Sequence, residues 1–206
     1  MKQVDLMPSS DFLITAARNG DVVAINQLIK LWQKRIYNFA LKYFNDHDQA
    51  MEVTQKTFIS MNKNLSKLKD DQSFKPWLYR IATNYCHEEV RRQSKKWVLP
   101  FMKVHKKEDQ QHIAAIEQVD TLGNPESAYG NQELKALLKK ALSTLPEEQR
   151  LVVIMKEYEG LKLREIAVAM EISENTVKSR LYYALGSLRQ RLEEWQITRE
   201  NIHYEL

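Results

Sequence analysis

The stretch over residues 145–192, LPEEQRLVVIMKEYEGLKLREIAVAMEISENTVKSRLYYALGSLRQRL, constrains the fold more than any other part of the chain. It reads as three helices, the last two forming a helix-turn-helix. Pro146 stands where a first helical turn tolerates it, because its missing N–H would have no partner there. Leu151, Val152, Met155 and Tyr158 recur at helical spacing, and Gly160 closes that helix. A short helix over 162–170 turns Leu163, Ile166, Ala167 and Met170 to one face, with Ala167 small enough for a crossing helix to approach. Ser173 is placed to accept hydrogen bonds from the free N–H groups of the next helix. Val177, Leu181 and Leu185 are expected as that helix's inner stripe. Glu174, Asn175, Thr176, Lys178, Ser179 and Arg180 are then left outward at its N-terminal end. Those residue types, at that end of a helix, suit the major groove of duplex DNA. A plain three-helix core with a solvated polar face satisfies the same periodicity, so the rest of the chain has to separate the two readings.

A chain of 206 residues with five glycines and five prolines favours helices over a turn-rich β fold. The net charge of +4 is mild, so its distribution matters more than its size. A single cysteine, Cys86, cannot form an internal disulfide, and no Cys/His cluster points to zinc. The first residues, MKQVDLMPSSDF, lack a signal-peptide core, and no run approaches membrane-spanning length. A cytoplasmic protein is the expectation.

Residues 1–10 read as a loose leader. A short helix over 11–18 stops at Asn19-Gly20-Asp21. A longer one over 22–44 carries a wide apolar stripe of Ile25, Leu28, Ile29, Trp32, Ile36, Phe39, Ala40 and Tyr43. Asp48 is the expected N-cap of a helix over 49–64, with Ala50, Val53, Thr57, Met61 and Leu65 inward and Phe58 at their edge. After a polar loop, 66–72, Ser73 is expected to cap a helix over 74–92. Its core face is Phe74, Leu78, Ile81, Tyr85 and Val90. Trp77, Arg80, Asn84, His87 and Arg91 form a second row at spacings of three and four. From Arg91 to Lys107 there are seven Lys or Arg residues and no acid. Periodicity returns at Asn124-Pro125-Glu126, in a helix with Leu134, Leu137, Leu138, Ala141 and Leu142 inward. The expected fold is all-α: a helical domain over 11–94, a linker over 95–124, a helix-turn-helix domain over 125–192 and a fraying acidic tail over 193–206.

The C-terminal wording, LPEEQRLVV, EGLKLREIAVAM and ISENTVKSRL, resembles the promoter-reading domain of extracytoplasmic-function (ECF) sigma factors. DQAMEVTQKTF is similar to that family's polymerase-binding helix, FKPWLYRIATNYCHEEVRR to its promoter-melting helix, and NPES to its re-entry from the linker. The resemblance runs from about residue 12 to 190, in order. Departures are Met51 and Lys56 where acids are usual, Glu171 at a turn position where glycine is common, Lys162 as an N-cap and Gly186 within the last helix.

The resemblance implies a dissociable subunit of core RNA polymerase. Ser173, Glu174, Asn175, Thr176, Lys178, Ser179 and Arg180 would read the duplex −35 element. Whether Lys178 and Arg180 meet a guanine edge or a phosphate stays open at this point. Trp77, Arg80, Asn84, His87, Arg91 and Arg92 would hold the opened −10 strand by stacking and by a basic groove. Trp77 is either a base platform or a core residue. Loop 66–72 would pocket an extruded base. Asp48, Glu52, Gln55, Lys56 and Ile59 would bind polymerase, suiting a helix-on-coiled-coil contact with charged edges. An inhibitory anti-sigma partner is compatible with the apolar edges.

No P-loop, GxGxxG, HExxH or Cys–His pairing is present, so no catalytic residue, metal or cofactor is assigned and an enzyme is not the expectation. The competing expectation is a stand-alone helix-turn-helix regulator that binds duplex promoter DNA without polymerase.

Overall fold

A computed structural model describes residues 10–97 and 136–195, which form helices and short turns with no strand among them. In order these are α1 (Ser10–Arg18), α2 (Val22–Phe44), α3 (His47–Asn64), α4 (Phe74–Trp97), α5 (136–143), α6 (Glu147–Val153), α7 (Leu163–Met170) and α8 (Glu174–Glu194). The expected leader, most of the linker, its basic tract beyond Trp97 and the end of the tail lie outside the described residues.

Local chemistry sets the helix ends. Asp21 caps α2 by accepting from the N–H groups of Val23 (2.8 Å) and Ala24 (3.2 Å). Asn45 ends α2 in the left-handed region, φ 53°, where its short polar side chain is tolerated. The next helix then starts at His47, two residues before the expected start. Asp46, not Asp48, is its cap: extended at φ −138°, it accepts from Gln49 N at 2.9 Å. Asp48 falls inside the first turn. Ser73 is also not the cap expected of it. It ends a 3-10 turn (Asp71–Ser73), and its hydroxyl donates to Asp70 at 2.8 Å.

Helices α2 and α3 carry the expected core: Leu28, Ile36, Phe39, Ala40, Tyr43, Ala50, Val53, Thr57, Met61 and Leu65 are all buried. Trp32 packs edge-on to Phe74 (5.6 Å) and Phe39 to Tyr79 (5.4 Å). Each fully buried side chain of this size contributes about 1.5–3 kcal/mol.

Helix α4 departs from expectation on its covered side. Tyr79, Ala82, Thr83, Cys86 and Glu89 are buried, whereas Ile81, Tyr85 and Val90 are only half so. The reason is tertiary. Leu151, Val152, Ile154, Met155, Leu161, Ile166, Ala169 and Val177 of the second half join the same core, and α7 packs on α4. A smaller cluster, Leu142, Leu145, Val153 and Ala184, holds α5, α6 and α8 together.

Helix α8 also turns slightly from its expected register. Ala184 is buried and Leu185 is 46% exposed. Steps of four, three and four from Val177 through Leu181 and Ala184 to Leu188 stay on one side, whereas a strict step of four drifts around the helix.

Arg150 joins the halves at their base. Its guanidinium donates to the carbonyls of Tyr43, Ser143 and Leu145, each at 3.0 Å, and lies over the Tyr43 ring. The Tyr43 and Ser143 carbonyls lie at helix C-termini, where they have no partner within the helix, and that of Leu145 lies in the turn before α6.

Candidate nucleic-acid interfaces and the adjoining groove

Helix α6 continues through a π-helical turn, Ile154–Tyr158, and stops at Gly160, whose φ of +63° suits glycine. Lys162 has no acceptor to cap α7. Glu165 compensates by accepting from the Lys162 backbone N–H at 2.6 Å, the reciprocal half of a capping box. Glu171 ends α7 at φ 55°, a left-handed conformation that costs a non-glycine residue about 1 kcal/mol. Ser173 then caps α8, accepting from Thr176 N at 3.1 Å, as its position predicted.

On α8, Glu174, Asn175, Lys178 and Ser179 are exposed and Thr176 is partly covered. Ser173 and Thr176 share a hydroxyl hydrogen bond at 2.8 Å, and Ser179 donates to the Asn175 carbonyl at 3.0 Å. Lys178 lies 3.4 Å from Glu174, an exposed pair one turn apart. Such pairs are worth only a few tenths of a kcal/mol, about 0.3–0.5 in helices, and let go easily. Arg180 is held differently. Its guanidinium meets Glu148 at 2.5 Å, with only 27% of its side chain exposed. Glu148 in turn lies 3.7 Å from His87 on α4.

The row on α4 therefore faces the helix-turn-helix. Arg80 pairs with Glu171, His87 faces Glu148, and Asn84 is exposed between them. Arg91 is turned back, its Nε donating to the His87 carbonyl at 3.2 Å. Arg92 is on another side, bridging Glu52 (2.7 Å) and Glu89 (2.8 Å). Trp77 is half-buried against the core and tilted on Phe74 at 6.0 Å. In loop 66–72, Asp71 is tied to Arg18 at 2.9 Å and to the Thr15 hydroxyl.

Two further contacts close the halves on each other. The Tyr79 hydroxyl donates to Glu159 at 2.5 Å, and Lys75 donates to the Glu159 carbonyl at 3.0 Å. Burial, and then the Glu159 carboxylate, push the Tyr79 phenol well above its ordinary value. Lys42 sits over the Tyr158 ring, and burial pulls its ammonium down from the usual lysine range.

Helices α2 and α3 flank an open groove of about 850 Å³. Its floor is apolar, from Ile25, Ile29, Met51, Phe58 and Ile59, and its rim carries Asp48, Glu52 and Gln55. Ile59 and Met51 are half exposed there, so this apolar surface is open to solvent. Lys56 lies on the α4 side, 3.1 Å from Glu52 and 3.4 Å from Glu88. Its hydrogen bond holds the Glu52 carboxyl below the usual range, and Glu52 raises the Lys56 ammonium. Of the five polymerase-binding candidates, Asp48, Glu52, Gln55 and Ile59 line the groove and Lys56 does not.

Sequence reasoning passed over Met51 as part of an apolar floor and Tyr182 and Tyr183 as part of α8's outward face, where they are 76% and 63% exposed. Adjacent aromatics outside a helix's inner stripe are the signal that would have found the tyrosines.

A helix-turn-helix beside a helical unit with a polar, cationic row is the layout of a promoter-recognition factor. The comparisons agree over both halves. The family models described as "Sigma-70 region 2" and "Sigma-70, region 4" match residues 28–96 and 135–188. The RNA polymerase sigma-H factor of Pseudomonas aeruginosa is 26% identical over 181 residues, 88% of this chain and 92% of that one. The ECF RNA polymerase sigma-E factor of Escherichia coli K12 is likewise 26% identical, over 88% and 93%. Among solved structures, CnrH in complex with the cytosolic domain of CnrY shares the fold with a TM-score of 0.65, 20% identity and coverage of 90% and 97%. RpoE of Bartonella quintana, solved with the anti-sigma factor NepR, gives 0.58 at 21% identity, over 82% and 96%. This chain belongs to the ECF family of RNA polymerase sigma factors, and its activity is promoter-specific transcription initiation with core RNA polymerase. A regulator acting without polymerase is not favoured.

Proposed function

We propose that the chain divides this activity among three surfaces. The exposed N-terminal face of α8, chiefly Asn175, Lys178 and Ser179, enters the major groove of the −35 element. The α4 row of Arg80, Asn84 and His87 holds the opened −10 strand, with Arg91 and Arg92 as phosphate contacts once their present partners let go. The groove between α2 and α3 takes a helical element of core polymerase, its apolar floor supplying area and Asp48, Glu52 and Gln55 orienting the partner. The protein works in the cytoplasm with the polymerase. Among the described residues no helix is long and apolar enough to cross a membrane.

The observation that carries this reading is a pair of separate surfaces. An open groove with apolar lining lies between α2 and α3, and the α4 row meets the second half through Arg80–Glu171 and His87–Glu148. Because that domain sits on the row, the halves must part before the strand can bind. An inhibitory partner completes the reading: the similar structure of RpoE was solved with an anti-sigma factor, and the exposed groove of this chain is an apolar surface such a partner can cover.

The test is transcription in vitro with core polymerase over a promoter library. The chain should add selective starts. Ile59→Asp, which sets a carboxylate on the groove floor, should abolish those starts and co-elution with core while leaving the helical content intact. Selective starts retained by Ile59→Asp would remove the groove from the account.

A further inference from the structure

We propose that Thr15 and Arg18 of α1 are positioning residues for capture of a −10 base: by gripping Asp71 they hold the 66–72 segment in the shape that receives one extruded base. The inference rests on the reading of the N-terminal half as the holder of the −10 strand. It adds a part of the chain, α1, that lies outside the residues matched by the region 2 family model, 28–96. Leu13, Ile14 and Ala17 bury one side of α1 in the core. Thr15 and Arg18, one turn apart, reach the segment between α3 and α4. The Arg18 guanidinium meets Asp71 at 2.9 Å and the Leu68 carbonyl at 3.3 Å, and the Thr15 hydroxyl donates to the second oxygen of Asp71. Two side chains of α1 thereby fix the segment at both Leu68 and Asp71.

The grip decides what the segment shows to solvent. Both of its acids are tied within the structure: Asp71 to α1, and Asp70 to its own turn, where it accepts from Gln72 N at 3.1 Å and the Ser73 hydroxyl at 2.8 Å. Leu65 and Leu68 are buried. Ser66, Lys67, Lys69 and Gln72 are left exposed, two cations with a hydroxyl and an amide. That set suits a phosphate together with a polar base edge, and the segment leads straight into α4, whose row begins at Trp77. An extruded base is held well only where its partners are already in place, because a segment that must first be ordered binds more weakly in proportion to the time it is competent. Asp71 Oδ1 is buried, with the Arg18 guanidinium facing it. Removing Arg18 leaves that charge unpaired and drives the side chain out to water, taking the segment with it.

The experiment uses the full chain with core polymerase and single-stranded oligonucleotides carrying the non-template −10 sequence of a promoter selected from a library. Each −10 position is set in turn to all four bases, and binding is titrated. Wild type should discriminate by about tenfold at one position, the ordinary cost of one wrong base. Thr15→Val and Arg18→Ala should cut that preference about tenfold, as expected if the segment is competent only about a tenth of the time. Preferences at the other positions and co-elution with core should not change. Arg18→Lys, which keeps a cation beside Asp71, should keep most of the preference. A chain with Ser66, Lys69 and Gln72 all changed to alanine should lose it at the same position. Leu13→Ala, which loosens α1 without touching Asp71, should lower the melting temperature and leave the preference in place. Full preference in both Thr15→Val and Arg18→Ala would overturn the proposal. So would a loss spread over every position, or one as large in Leu13→Ala, since either reflects folding alone. A preference that only Arg80→Ala abolishes would keep the −10 reading and overturn this inference. Wild-type holoenzyme that binds no such strand would remove that reading, and this inference with it.

Discussion

Tyr79 on α4 donates its hydroxyl to the Glu159 carboxylate, 2.5 Å away at the end of the π turn, across a separation of 80 residues. The bond joins α4 to the helix-turn-helix half at a point where the phenol is fully buried. Hydrogen bonds to charged groups contribute more than neutral ones, and Glu159 is half exposed, so we expect Tyr79→Phe to cost about 1–2 kcal/mol. Urea unfolding checks this. A larger scattering radius at unchanged helical content should accompany it, and a variant as compact and stable as wild type would contradict the role.

Arg80 is spent on Glu171 in the closed arrangement, while Asn84 is exposed beside it. Arg80→Ala and Asn84→Ala should slow strand opening, read by permanganate reactivity of −10 thymines, with core binding unchanged. Glu171→Gln should act oppositely, freeing Arg80 and speeding opening. If Arg80→Ala opens DNA as fast as wild type, its place on the strand is lost.

Lys178 and Arg180 are two residues apart on α8 but are held very differently. Lys178→Ala should weaken −35 binding and reduce its salt slope by about 1, as expected for one phosphate contact. Arg180 is bound to Glu148 and mostly covered, so Arg180→Ala should show a lowered melting temperature and little change in the preferred −35 sequence. A reversal of those two patterns in binding titrations would mean that Arg180 swings out to DNA.

Burial raises the Tyr43 and Tyr79 phenols above their ordinary 10.0 and the Cys86 thiol above its ordinary 9.0. A raised value in the folded state means that the unfolded chain loses its protons first. The stability these groups contribute is therefore complete below about pH 9 and falls as pH rises beyond it, at up to about 1.4 kcal/mol per pH unit for each group. Unfolding free energy should be flat from pH 7 to 8.5 and decline steeply by pH 10.5, less steeply in Tyr79→Phe. A level profile to pH 10.5 would contradict the buried phenols. Cys86 should resist thiol reagents at pH 8 until the chain unfolds.

Much of the fold was present in the order of residues. Asp21, Gly160 and Ser173 stop or start helices through hydrogen bonds and backbone angles that involve neighbours a few positions away. The apolar stripes of α2 and α3 are equally local, because helical spacing alone brings Leu28, Phe39, Val53 and Met61 to one side. So was the exposed polar face at the start of α8. The two-residue shift of the α3 cap was less legible, since Asp46 and Asp48 are both good caps and only the left-handed Asn45 chooses between them.

Sequence order determined the helices, their ends and the family they spell out, since those depend on contacts within a few residues. Tertiary structure alone decided which flank of α4 is covered, that Arg180 answers to Glu148 and Arg80 to Glu171, and that a groove stays open between α2 and α3. Each of these depends on partners far away in the chain, and a helix with two serviceable faces carries no local signal of which one a distant helix will bury.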